Sequence, residues 1–230
     1  MTEEARRTFH HELDDLRERI VEFAALVAET IPRATQALLD MDLALAKQVI
    51  EYDDELDARS LAIEEACHRL LALQQPMAGD LRAIITAVKL NWELERSADL
   101  AVNLAKTVRR IYQATPLDPR LRGLIERMGD EAYLLTSRAV EAYATGDATL
   151  AESLDDMDDP LDALQAQYVQ TIIDHHERHG LDLHVAVQLA LIGRYYERIG
   201  DHAVNVGERI CYMVTGLVAE SPGVAGTDST

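Results

Sequence analysis

The segment DLHVAVQLALIGRYYERIGDHAVNVG, residues 182–207, repeats an earlier part of the chain. It aligns without a gap with DLRAIITAVKLNWELERSADLAVNLA, residues 80–105, at an offset of 102 residues. Farther upstream, DMDLALAKQVIEYDDELD (40–57) aligns with TGDATLAESLDDMDDPLD (145–162) at an offset of 105 residues. The chain is therefore predicted to contain two tandem copies of one structural unit.

Apolar residues recur at steps of three and four through nearly the whole chain, which is the period of an α-helix. Leu13, Leu16, Ile20, Phe23 and Val27 show this pattern in the first segment. Residues typical of turns interrupt it in five places, at 39–43, 74–80, 113–120, 144–148 and 177–182. We therefore predict an all-α protein with six long helices, arranged as two tandem antiparallel three-helix bundles.

The repeat also predicts the domain boundaries. The first three-helix unit is expected to span 1–114 and the second 115–217, followed by a disordered tail at 218–230 that is rich in Gly, Ser and Thr. Two prolines fall within predicted helices. Pro32 predicts a kink or short break in the first helix, and Pro160 predicts either strain in the fifth helix or its starting point.

Composition restricts the class of partner. The 230 residues carry a formal net charge of -19, which opposes binding to nucleic acid or to an anionic membrane surface. The N-terminus lacks the apolar core of a signal peptide, and no run reaches the length of a membrane span. Cys67 and Cys211 show no metal or redox spacing. We expect a cytoplasmic protein with reduced cysteines and no direct membrane insertion.

Each unit carries two acid pairs at i, i+4, one on each of its last two helices. The first set is Asp53, Asp57, Glu95 and Asp99, and the second is Asp158, Asp162, Glu197 and Asp201. Along the third helix, Leu81, Ile85, Val88 and Trp92 precede Glu95 and Asp99 on one heptad seam. This phase predicts that the acids point toward the bundle interior.

In an antiparallel pair of helices, residues equidistant from the connecting turn lie at the same height. Asp57 with Glu95, and Asp53 with Asp99, are each equidistant from Pro76. In the second unit the matching pairs, Asp162 with Glu197 and Asp158 with Asp201, are centred between 179 and 180. Four carboxylates are therefore predicted to meet at one level in each unit.

Four partly buried carboxylates repel one another, so they must be protonated, paired with bases or neutralised by cations. An all-oxygen donor set suits hard metal ions, and we predict one or several divalent or trivalent ions per site, with Fe, Mn, Mg or Ca as candidates.

Several neighbouring residues have candidate supporting roles. Asn103 and Asn205 follow each unit's last acid by one turn and could supply a carbonyl ligand, a hydrogen bond to a ligand, or neither. Arg96 and Arg198 directly follow the glutamates and point about 100° away from them, so they are better placed to support a neighbouring residue than to enter the site. His202 has Leu100 as its counterpart in the first unit, so we expect it at the surface or behind a ligand.

The chain resembles the PhoU family of phosphate-signalling regulators. The resemblance runs from about residue 9 to 216 and rests on the tandem units, on the motifs DDELD, ELERSAD, DDPLD and YYERIGD, and on QQPMAGDLR before the third helix. It implies an all-α, cytoplasmic, metal-binding homodimer in which the eight acids hold multinuclear clusters. It also implies a negative regulator that links the ATPase of the high-affinity phosphate ABC transporter to a sensor histidine kinase.

Two other classes of function compete with this interpretation. A scaffolding helical bundle would carry the same acids as solvated side chains without metal. A carboxylate-bridged di-metal oxidase would need two Glu-x-x-His pairs, and only Glu65 with His68 has that spacing. No phosphate-binding glycine loop or nucleophile triad is recognisable, so we do not expect an enzyme.

Overall fold

The computed structural model describes residues 3–74, 76–112 and 117–217. Every regular element among them is an α-helix. The helices are α1 (Glu3–Asp40), α2 (Leu43–Gln74), α3 (Ala78–Ile111), α4 (Pro119–Thr145), the short α5 (Ala148–Glu152), α6 (Leu154–His179) and α7 (Leu183–Thr215). The predicted tail at 218–230 lies outside the described residues.

Among the described residues, turns lie in each of the five segments that the sequence predicts, and three of these turns have a clear local cause. The chain leaves α4 and α6 through Gly146 and Gly180, whose φ angles of 68° and 67° are left-handed and favour glycine. Asp42, Asp147 and Asp182 cap the helices that follow by accepting backbone N–H groups.

The six long helices form two groups of three, with the short α5 beside α7, which confirms the predicted architecture. Helices α1, α2 and α3 pack against one another, and so do α4, α6 and α7. The two groups join where α3 contacts α7 and α1 contacts α4. As a result, α2, α3, α7 and α6 form one row of neighbouring helices, and α1 and α4 cover one side of that row.

Two expectations about helix continuity need correction. The predicted fifth helix is divided at Ser153 into α5 and α6, and α6 then continues through Pro160 instead of beginning there. Pro32 does not interrupt α1, which remains helical from Glu3 to Asp40. A proline at either position removes one backbone donor, and packing of these long helices over their remaining length outweighs that loss.

The core is made of small and branched aliphatic side chains with few aromatics. Phe23, Tyr168 and Tyr196 are its largest fully buried members. Tyr196 on α7 reaches across to α1, where its hydroxyl lies 2.7 Å from Thr35 Oγ1. This buried hydrogen bond is one of the links that hold the first unit against the second.

Candidate metal centres

The first cluster consists of Asp53 and Asp57 on α2 and Glu95 and Asp99 on α3. Burial, followed by the charges of Asp57 and Asp99, raises the pKa of Asp53, while Lys106 acts in the opposite direction. Ser60 on α2 donates a hydrogen bond to Glu95 Oε2 at 3.3 Å, which directs the Glu95 side chain toward α2. Asp53 and Asp99, one of the two pairs that turn-centred pairing predicts, thus lie close enough for their charges to interact.

The second cluster consists of Asp158 and Asp162 on α6 and Glu197 and Asp201 on α7. Burial, with Asp162 and Asp201 next, raises the pKa of Asp158 to about 7. Burial, Glu197 and Asp201 also raise the pKa of Asp162. Like charges therefore face one another across the α6–α7 pair, as they do across α2 and α3.

The two clusters differ in their basic neighbours. In the second cluster, Arg194 forms an ion pair with Glu197 one turn away on α7. The equivalent residue in the first unit is Trp92, which is 57% exposed. The first cluster instead has Lys106, which is two turns beyond Asp99 on α3. Among the charges that act on the raised pKa values, acids outnumber bases in both clusters, which favours the attraction of cations.

The predicted inward phase of the acids is wrong. Leu81 and Trp92 of the proposed seam are 37% and 57% exposed, and five of the eight acids are exposed as well. The cause is that α3 lies between α1, α2 and α7, so its buried surface includes Ala98, Ala101 and Ala105. The acids occupy the remaining strip, on the side of the helix row that α1 and α4 leave open.

Asp53 and Glu197 are half-buried, and Asp158 is the most deeply buried of the eight acids, at only 8% exposed. Its Oδ1 atom is buried and has no hydrogen-bond partner among the described residues. It packs against Gly200 of α7, where any Cβ would collide with it. A buried carboxylate oxygen without a donor is a high-energy arrangement that a bound cation would relieve.

The two asparagines and two arginines with candidate supporting roles differ in their contacts and exposure. Asn205 Nδ2 donates to Glu93 Oε2 at 3.3 Å, so its amide is directed across to α3. Asn103 is partly buried, and its backbone carbonyl accepts from Thr107. Arg96 is exposed and Arg198 partly buried. Within the described parts of the chain, no group of three or more His, Cys, Asp or Glu is already arranged to hold an ion.

A polar link between the two units was missed by the sequence reasoning. His202 is 7% exposed, and its Nδ1 donates to Glu93 Oε2 at 2.7 Å. Burial raises the pKa of Glu93, but the hydrogen bonds from His202 and Asn205 outweigh it and lower the value. The expected surface position of His202 is therefore wrong. The aligned repeats offer a sign of this link, because Glu93 and His202 are polar where the other repeat has Tyr195 and Leu100.

Within the described ranges, none of the helices combines the length and apolar character needed to cross a bilayer.

Fold and site together define a class: an all-helical tandem-repeat protein with one carboxylate cluster in each repeat. The PhoU domain family model matches the chain twice, at 20–108 and 125–210. The chain therefore belongs to the PhoU family.

Relatives and solved structures agree with that assignment. The chain is 37% identical over 222 residues to a protein of Mycobacterium leprae named phosphate-specific transport system accessory protein PhoU homolog 1, covering 96% of this chain and 99% of the relative. The crystal structure of PhoU from Pseudomonas aeruginosa superposes with a TM-score of 0.85 at 32% identity, covering 91% of this chain and 100% of that one.

The phosphate transport system regulatory protein PhoU from Streptococcus pneumoniae gives a TM-score of 0.84 at 27% identity, covering 93% and 100% of the two chains. These proteins match along their full length, so the similarity extends to both repeats.

Proposed function

We propose that this chain is a metal-binding regulator of phosphate transport that represses the response to phosphate starvation. Its relatives carry the names of accessory and regulatory proteins of phosphate transport. The observation that supports a role for metal is the pair of carboxylate clusters, which occupy equivalent positions in the two repeats and raise the pKa values of their own members.

The residues present fit a hard cation. All eight proposed ligands are carboxylates, which favour Mg, Ca, Mn or Fe over softer ions. Asp158 Oδ1 supplies a buried acceptor that lacks a donor. Five of the acids are exposed, so their side chains are free to rotate toward an ion. A bound cation would neutralise the repulsion across each helix pair and hold α2 against α3 and α6 against α7.

The partners in this proposal are the ATPase of a phosphate ABC transporter and a sensor histidine kinase, both as the family resemblance implies. A net charge of -19 favours basic surfaces on those partners. The chain is proposed to act as a homodimer. Metal in the clusters would fix the open side of the helix row, which offers a rigid surface for docking.

The test is to replace the chromosomal gene in the source organism with the double variant E95Q/D99N and to measure phosphate uptake in phosphate-rich medium. We expect derepressed uptake, because the variant loses two carboxylates of the first cluster while keeping side chains of the same size. Repression that persists in E95Q/D99N at normal protein abundance would contradict the proposal.

The matched control is E51Q/E55Q. Glu51 and Glu55 are also acids at i, i+4 on α2, but they form surface ion pairs with Lys47 at 3.3 Å and with Arg59 at 2.9 Å. This pair lies on another face of α2 from Asp53 and Asp57, so repression should be normal in the control strain.

A further inference from the structure

The turn between α6 and α7 borders a cavity of about 500 Å³ that gathers three histidines, His175, His179 and His184. The end of α3 and the start of α4 form its other walls through Ile111 and Leu121. It lies roughly 25–30 Å along α6 from the second cluster, at 1.5 Å per residue. None of its lining residues belongs to either carboxylate cluster.

Two of the histidines form a chelating arrangement. His175 and His179 are one helical turn apart at the end of α6, and their ring centroids are 4.8 Å apart. Two imidazoles at i, i+4 on one helix face can bind one ion, with each nitrogen about 2.0–2.1 Å from it. Both side chains are at least partly exposed, so their rings can turn to the required angle.

The turn itself is held in place, which fixes where His184 begins on α7. Gly180 N–H donates to the carbonyl of His176, and the ring nitrogen Nδ1 of His176 lies 2.6 Å from the carbonyl of Leu181. His184 follows in the first turn of α7 and lines the same cavity as His175 and His179. It is exposed, so its side chain can reorient toward them.

The charges around the cavity favour a cation. Helices α3 and α6 end here and helices α4 and α7 begin here, so the partial charges of the helix ends offset one another and the side chains decide the sign. Asp118 and Asp182 line the cavity and cap the helices that start there. Arg110 also lines it, and its guanidinium donates to Gln188 Oε1 at 3.4 Å.

We propose that His175 and His179 bind a late first-row divalent ion of the Zn²⁺ or Ni²⁺ type, with His184 as the third ligand. Imidazole nitrogens select these ions over Mg²⁺ and Ca²⁺, which carboxylates prefer. The described residues hold no three ligands already converged on a point, so His184 closes the site as the ion binds. This site does not depend on the proposed regulatory function.

The experiment is calorimetric titration of the chelator-stripped full chain with Ni²⁺ in millimolar Mg²⁺, which competes with Ni²⁺ for carboxylate ligands. We expect one Ni²⁺ site whose affinity falls more than about tenfold in H175Q/H179Q and by a smaller factor in H184Q. Ni²⁺ should also raise the melting temperature of the wild type and leave that of H175Q/H179Q unchanged.

Two controls separate this site from the rest of the molecule. H11Q removes a histidine whose side chain is 77% exposed on α1, and it should bind Ni²⁺ as the wild type does. D53N/D57N/D158N/D162N should also keep the Ni²⁺ site, whatever it does to other metals. Equal Ni²⁺ affinity in H175Q/H179Q and H11Q would overturn the proposal, and an unaltered affinity in H184Q would remove His184 from the ligand set.

Discussion

At the scale of single residues, Asp158 shows how a glycine on one helix sets the chemistry of an acid on another. Gly200 leaves room for Asp158 to approach α7 closely, which buries the carboxylate beside Asp162 and Asp201. Its pKa rises to about 7, whereas the value for an unfolded chain is near 3.8. The folded protein therefore binds this proton more tightly than the unfolded chain does.

This difference predicts a pH dependence for the metal-free protein. Because the folded-state pKa is raised, the contribution of Asp158 to stability is greatest at low pH and is lost as the pH rises through about 7. D158N stays neutral and should be more stable than the wild type at about pH 8, by roughly 1–3 kcal/mol, with the advantage disappearing by about pH 4. Urea unfolding of both proteins in the presence of chelator, at each pH, measures this difference in stability.

E51Q serves as the control for that measurement, because Glu51 is a surface acid paired with Lys47. Its pH profile should follow the wild type. If D158N and E51Q give the same profile, burial of the Asp158 charge is not what governs stability in this range.

The identities of the eight clustered acids were predictable from the sequence, but the exposure of their side chains to solvent was not. The repeat marks all eight acids, and turn-centred pairing predicts which of them face one another. Helical periodicity could not distinguish the exposed strip of α3 from its core, since Leu81 and Trp92 are apolar and yet exposed. Only the neighbours of a helix decide which of its apolar faces is covered.

At the scale of helices, three glycines spaced seven residues apart allow α7 to lie close to α5 and α6. A Cβ at Gly193 would approach Tyr168 to 2.9 Å, one at Gly200 would meet Leu161 at 2.8 Å, and one at Gly207 would meet the carbonyl oxygen of Ala151 at 2.6 Å. The equivalents in α3 are Asn91, Ala98 and Ala105. The glycines thus make room in the second unit for side chains and backbone that the larger residues of α3 would displace.

G207A should lower the free energy of unfolding by about 1–3 kcal/mol, because the added methyl group meets backbone that cannot rotate away. G123A is the matched control within α4, where a Cβ would meet nothing within 4 Å. It should raise stability by about 0.5–1 kcal/mol, since alanine is the better helix former. Urea denaturation of both variants decides the matter, and equal effects would contradict close packing at Gly207.

The spacing of these three glycines is visible in the sequence, whereas the division of the predicted fifth helix is not. Glycines at 193, 200 and 207 in a helical segment indicate close approach of a neighbour. The break at Ser153 has no proline or glycine to mark it. The break lies between the Asp147 cap of α5 and the start of α6, where α5 packs against α7. It therefore depends on contacts between helices and not on local sequence.

At the scale of the whole molecule, the row of α2, α3, α7 and α6 places both clusters on the side that α1 and α4 do not cover. Between the clusters lies the α3–α7 contact, where Glu93, His202 and Asn205 are hydrogen-bonded. The repeat predicted two bundles, but it could not predict how they join. Glu93 and His202 at that contact align with Tyr195 and Leu100 in the other repeat, whereas Asn205 aligns with an identical residue, Asn103.

Metal content shows whether the carboxylate clusters bind hard metal ions. Wild type, D53N/D57N, D158N/D162N and the combined quadruple variant would be dialysed to equilibrium against Mn²⁺ and analysed by mass spectrometry, with E51Q/E55Q as the control. We predict that each double variant loses the metal of one cluster, that the quadruple variant binds none, and that the control matches the wild type. Equal Mn²⁺ in the wild type and the quadruple variant would contradict the account.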